Sequence, residues 1–117
     1  MKKFNRATGR LAEDMATDAL LKNGFKIIQR NYANRYGEID IIAKDGETVV
    51  FIEVKAKTGN RFGTPEEMIN RKKLTKIRQM AEIYMSDKNS LCRIDVVAII
   101  LNNNKQLVSL SHYRNVY

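Results

Sequence analysis

Two stretches of strand-like sequence meet at a glycine, and this pattern constrains the chain more than any other. Residues 38–44 (EIDIIAK) alternate with period two, Asp45-Gly46 is a tight-turn dipeptide, and residues 48–57 (TVVFIEVKAK) are rich in β-branched side chains. A β-hairpin is therefore expected. With the turn centred on Asp45-Gly46, Ile42 faces Val49, Asp40 faces Phe51 and Glu38 faces Glu53, all on one side of the pleat. Asp40 and Glu53 then become diagonal neighbours, roughly 7–8 Å apart at Cα. Two carboxylates at that spacing can converge on one cation with ligand distances of about 2 Å. Lys55 follows Glu53 by two residues on the same face. Acids and bases alternating with apolar residues are also what the wet face of an antiparallel sheet carries. Against that plain account, the strand holding Glu53 is apolar on both sides through Phe51, as in a covered central strand where a carboxylate needs a partner. The residue types also suit separate tasks, with two acids to hold an ion and an ammonium to orient water beside a phosphate.

The rest of the chain supplies elements to cover such a hairpin. Leu11, Ala12, Met15, Ala16, Ala19 and Leu20 recur at helical spacing, which predicts a helix over residues 7–22 stopped at Asn23-Gly24. Residues 25–32 predict a strand and 34–37 a turn. Thr64-Pro65-Glu66-Glu67 offers an N-cap, a proline in the first turn and a capping-box glutamate, predicting a second helix from Thr64 to about Ser86. Its buried stripe is Leu74, Ile77, Ala81, Tyr84 and Met85; Arg71, Lys72, Lys73, Lys76 and Arg78 give it a basic solvent side. A buried strand over 91–101, a turn at 102–104 and an edge strand over 106–113 complete an αβββαββ order.

With 117 residues and no linker or repeat, one domain is expected, loose over residues 1–7. The longest apolar run, residues 96–101, is far short of the roughly 20 needed to span a bilayer. Glu13, Asp14 and Asp18 interrupt any signal-peptide core, so a cytoplasmic chain is expected. A lone Cys92 and a lone His112 leave no zinc ligand set, so any metal is a hard ion held by oxygens. Cys92 reads as a small core residue, Asp95 as structural, and His112 receives no function.

The net charge of +8 favours a polyanionic partner, and its distribution refines the point. Residues 1–36 and 55–88 are basic, whereas 37–54 hold Glu38, Asp40, Asp45, Glu47 and Glu53 against Lys44 alone. Carboxylates repel a phosphate unless they trap a divalent cation, which suits a phosphodiester-cleaving protein better than a simple binder. Lys57, Arg61, Arg71, Lys72, Lys73 and Lys76 form the candidate phosphate-contacting surface. No base-reading motif accompanies them, which favours recognition by shape and backbone charge. Glu38 has two readings, a further ligand or a bridge to Lys55 or Lys57.

Asp40 followed by Glu53-Val54-Lys55 resembles the PD-(D/E)XK nuclease signature. The wider string is more specific: Gly9, Glu13, Ala16, Gly24, Asn31-Tyr32, Gly37-Glu38-Ile39-Asp40, Phe51-Ile52-Glu53-Val54-Lys55, Phe62-Gly63 and Asp95-Val96-Val97-Ala98 resemble the bacterial YraN family. That resemblance implies a restriction-endonuclease-like α/β fold, a mixed central sheet flanked by helices, and kinship with Holliday-junction resolvases. It implies Asp40 and Glu53 as metal-binding acids for Mg²⁺ or Mn²⁺, the Val54 backbone carbonyl as a further ligand and Lys55 as the catalytic lysine. Glu13 becomes the helix acid that such nucleases add, a further candidate ligand at the edge of the apolar stripe. Ile39 stands where the signature has proline, and Lys57 where arginine is frequent, which loses bidentate phosphate geometry. The implied function is a metal-dependent endonuclease on DNA, with junctions or other repair and recombination intermediates as substrates. A resolvase makes paired cuts, so a homodimer is expected of that activity. The alternatives are a non-catalytic nucleic-acid-binding or partner-binding module with the same fold, and a scaffold in a repair complex.

Overall fold

A computed structural model describes residues 6–59 and 70–116. Its elements are α1 (Arg6–Lys22), β1 (Lys26–Asn34), β2 (Gly37–Asp45), β3 (Thr48–Thr58), α2 (Arg71–Tyr84), β4 (Cys92–Leu101) and β5 (Leu107–Tyr113), the expected αβββαββ order. The sheet runs β1-β2-β3-β4-β5, with β3 and β4 parallel and the other neighbours antiparallel. Parallel pairing requires a crossover, and the segment containing α2 provides it. No described helix is long and apolar enough to cross a membrane.

Because successive strand residues point to opposite faces, the central strands feed two cores. Ala12, Ala16 and Leu20 of α1 pack on Ile41, Ala43, Val50, Ile52, Val97 and Ile99. Leu74, Ile77, Met80 and Ala81 of α2 pack on the other face against Ile39, Ile42, Val49, Phe51 and Val96. Tyr84 closes the end of α2 with edge-on contacts to Tyr32 and Phe51, at ring-centroid distances of 5.6 and 5.5 Å. Such pairs add roughly 1 kcal/mol each beyond their area. They help fix the rotation of α2 on the sheet.

Three local expectations are corrected. The hairpin turn is Gly46-Glu47 rather than Asp45-Gly46, so Asp45 pairs with Thr48, Ile42 with Phe51 and Ile41 with Ile52. Gly46 has φ +64 and Glu47 is not among the positive-φ residues, the pattern of a turn with glycine at its first central position. The register moves by two residues, which keeps Ile42, Val49 and Phe51 together on one face. The second helix is capped by Asn70 in an extended conformation (φ −111, ψ 115), which interrupts any continuous helix from Thr64. Thr64 to Glu67 lie outside the described residues, as do Arg61, Phe62 and Gly63. Cys92, the first residue of β4, is exposed rather than a core residue.

Candidate metal centre

The site forms where β2 and β3 separate. Their paired positions end at Ile41 and Ile52, and the next residues along, Asp40 and Glu53, are acids. Ile39 faces the α2 core while Ile41 faces the α1 core, so the alternation of β2 breaks at Asp40. Its Oδ2 accepts the Val54 backbone N–H at 2.8 Å, a side chain replacing the missing ladder bond. Glu53 shares the α2 side with Phe51 and is only 4% exposed. Its Oε2 lies 3.6 Å from the Lys55 ammonium and 3.5 Å from that of Lys73. Glu53 Oε1 is buried with no hydrogen-bond partner, the one such side-chain atom among the described residues. Desolvation, then the charge of Glu53, pushes the Asp40 carboxyl up to about 7; the Val54 N–H pulls the other way, Glu13 adds to the rise and Lys73 opposes it.

Glu13 approaches from α1 and is 8% exposed. Its Oε1 accepts three donors, Arg30 Nε at 3.0 Å, Arg30 Nη2 at 2.7 Å and Asn31 Nδ2 at 3.1 Å. Arg30 Nη2 also donates to Asp14 Oδ1 at 2.8 Å. Asn31 holds this position with φ +56, a conformation asparagine tolerates better than most residues. Arg30 and Asn31 thus fix one face of Glu13. Nothing in the sequence spacing singled out these two for that task; the lone signal was Asn31 within the resemblance.

Asp40, Glu53 and Lys55 therefore come together as the sequence predicts, with Asp40 and Glu53 at the mouth of the hairpin ladder rather than on a regular diagonal. Lys73, assigned from sequence to a solvent face, instead reaches Glu53. Glu38 is exposed and pairs across to Ala33 of β1, away from the direct opposition to Glu53 that the shifted register removes. Lys57, Arg71, Lys72 and Lys76 are exposed, and Arg71 and Lys72 share the first turn of α2 with Lys73. Among the described residues no group of three His, Cys, Asp or Glu side chains is close enough to hold an ion. The donor set that fits a divalent cation is thus two carboxylates, Asp40 and Glu53, completed by backbone or solvent oxygen.

Asp95 belongs to a separate, structural network. It is fully buried and accepts from Arg93 Nε at 3.0 Å and the Asn115 N–H at 2.9 Å, with His112 Nε2 2.8 Å from its other oxygen. Arg93 also donates to Asp45 at 3.0 Å. These bonds hold the Asp95 carboxyl below the ordinary carboxylate range against the opposing effect of burial, and tie the C-terminal segment to β4. His112, left without a role from sequence, is part of that clamp.

The whole chain has clear relatives. It matches the uncharacterised protein family UPF0102 over residues 12–99. A UPF0102 protein of Clostridium tetani is 42% identical over 106 residues, covering 88% of this chain and 87% of the relative. One from Dictyoglomus thermophilum is 39% identical over 116 residues, covering 97% and 98%. Another, from Pelotomaculum thermopropionicum, is 36% identical over 112 residues, covering 93% of each. With that match spanning residues 12–99 and relatives of this identity covered nearly end to end, the chain belongs to the UPF0102 family.

Proposed function

We propose that the protein is a divalent-metal-dependent endonuclease of the PD-(D/E)XK type, hydrolysing phosphodiester bonds in DNA, with branched or junction intermediates of repair and recombination as its substrates. The observation that carries this reading is Glu53 Oε1, a carboxylate oxygen buried without a donor beside a second desolvated acid. Such an atom costs roughly 1–3 kcal/mol, more when charged, and a cation relieves both it and the repulsion from Asp40. Asp40, Glu53 and the Val54 carbonyl are the groups that would hold Mg²⁺ or Mn²⁺. When bound, that ion supplies phosphate polarisation and a water of lowered pKa.

The chain's own residues do the positioning. The Val54 N–H fixes Asp40 Oδ2, leaving Oδ1 to turn toward a ligand. Lys55, whose ammonium stays beside Glu53, orients the attacking water and offsets charge that develops on the phosphate. Glu13, fixed by Arg30 and Asn31, adds negative potential on the α1 side and steadies the cation from outside its immediate ligands. Arg71, Lys72 and Lys76 on α2, with Lys57 at the end of β3 and Arg61 beyond the described residues, supply backbone-phosphate contacts. Paired cuts across a junction call for two copies, which light scattering of the protein with junction DNA measures.

The test is cleavage of labelled four-way-junction, flap, duplex and single-stranded DNA with Mg²⁺ or Mn²⁺, beside EDTA and Glu53→Gln controls. Metal- and Glu53-dependent cleavage is the expected result. Salt-sensitive binding of all four DNAs without cleavage favours the non-catalytic binding module instead, in which Lys55 and Lys73 simply neutralise Glu53.

A further inference from the structure

Lys73 is unexplained by its helix and redundant by simple charge pairing. Its ammonium is 3.5 Å from Glu53 Oε2, an oxygen that Lys55 already neutralises from 3.6 Å. The placement is built into the start of α2. Asn70 Oδ1 accepts the Lys73 N–H at 3.1 Å, and the adjacent Leu74 is buried in the α2 core. The first turn of α2 carries Arg71, Lys72 and Lys73 and no acid, although cations at a helix N-terminus oppose the peptide dipoles. A local rule broken beside a buried, incompletely paired carboxylate is the mark of a functional position.

We propose that Lys73 is an exchangeable counter-ion of the metal centre: it neutralises Glu53 in the metal-free protein and releases it to the divalent ion as its ammonium turns to a phosphate of the bound nucleic acid. This rests on the reading of Asp40 and Glu53 as metal ligands. The side chain is suited to exchange, since it is 44% exposed on a flexible four-carbon stem, whereas Glu53 is held in the sheet. Without nucleic acid, Lys73 competes with the ion for Glu53. With nucleic acid, phosphates draw the ammonium away and the competition ends. Linkage makes the effect reciprocal, so nucleic acid raises metal affinity and metal raises nucleic-acid affinity by the same factor. The centre therefore loads fully only on a substrate, which limits cleavage by a free, metal-charged enzyme.

The test is calorimetric titration of Mn²⁺ into the wild type, Lys73→Met, Lys73→Arg, Lys22→Met and Glu53→Gln, with and without a phosphorothioate duplex that resists cleavage. Circular dichroism confirms that each variant is folded. Lys73→Met is expected to bind Mn²⁺ roughly fivefold or more tightly than wild type without the duplex, and to lose the gain in affinity that the duplex gives wild type. Lys73→Arg restores the wild-type behaviour and Lys22→Met, which removes an exposed charge at the end of α1, leaves it unchanged. Equal Mn²⁺ affinity in wild type and Lys73→Met, or an equal gain in Lys22→Met, overturns the role of Lys73. Failure of the underlying metal reading looks different: either the wild type does not bind Mn²⁺, or Glu53→Gln binds it as well as wild type does.

Discussion

Replacing Asp40 by asparagine is expected to stabilise the metal-free protein, and to do so more at pH 8 than at pH 5. Burial first, and the Glu53 charge second, hold the Asp40 carboxyl at about 7 against an ordinary 3.8. A raised carboxyl pKa means that the folded state keeps its proton longer than the unfolded chain does. The cost to stability is therefore absent below pH 3.8, grows as pH rises toward 7, and is constant above it. At about 1.4 kcal/mol per tenfold change in proton affinity the ceiling is about 4 kcal/mol, of which about 3 falls between pH 5 and 8. The partly exposed ammonium groups of Lys55 and Lys73 can adjust toward the ionised pair, which lowers the expected change across that interval to about 1.5 kcal/mol. Asparagine retains an oxygen to accept the Val54 N–H, so the comparison isolates charge. Urea unfolding of both proteins in EDTA reads the difference directly, and titrations common to both proteins cancel. The stability advantage of Asp40→Asn should widen by about 1.5 kcal/mol from pH 5 to pH 8. A constant or narrowing gap would refute the claim that Asp40 is held in the fold at an electrostatic cost.

Other consequences follow from the same contacts. Glu13→Gln removes a charge that raises the Asp40 pKa, so the Asp40 carboxyl should titrate at lower pH by NMR while Arg30 keeps its bond to Asp14; an unchanged titration would place Glu13 outside the centre's field. Asp95→Ala should cost about 3 kcal/mol in urea unfolding, because it removes one of the two carboxylates that pair a largely buried Arg93 and frees the Asn115 N–H. Since the folded Asp95 pKa is depressed, its stabilising contribution is complete above pH 4 and disappears as pH falls through the lower folded value; the penalty should thus shrink in acid.

Much of the fold was legible because it rests on local periodicity. The stripe of α1, the β-branched run of β3 and the alternation of β2 each declare their element, and the apolar continuity of β3 anticipated that Glu53 would be buried. What escaped was set by single-residue turn geometry or by contacts distant in sequence. Asp45-Gly46 and Gly46-Glu47 are both acceptable turn centres, and the choice moved the hairpin register by two residues. The cap signal at Thr64 competed with Asn70, whose side chain sets the start of α2. Met80, missed from the buried stripe, lies three residues after Ile77 on the face of α2 that packs against the sheet. Packing of α2 on the sheet brings Lys73 to Glu53, and the packing of β1 beside α1 brings Arg30 and Asn31 to Glu13. The acids of the site were readable as a motif; the groups that hold and neutralise them were not.

The most direct measurement is a single one: incubation of the folded protein with labelled four-way-junction DNA and Mn²⁺, with Glu53→Gln and EDTA in parallel. The account predicts strand cleavage by the wild type alone, lost with the metal and lost with the Glu53 carboxylate. Cleavage that persists in Glu53→Gln would place the chemistry elsewhere. Tight, metal-independent binding without cleavage would contradict the nuclease assignment and leave a nucleic-acid-binding fold.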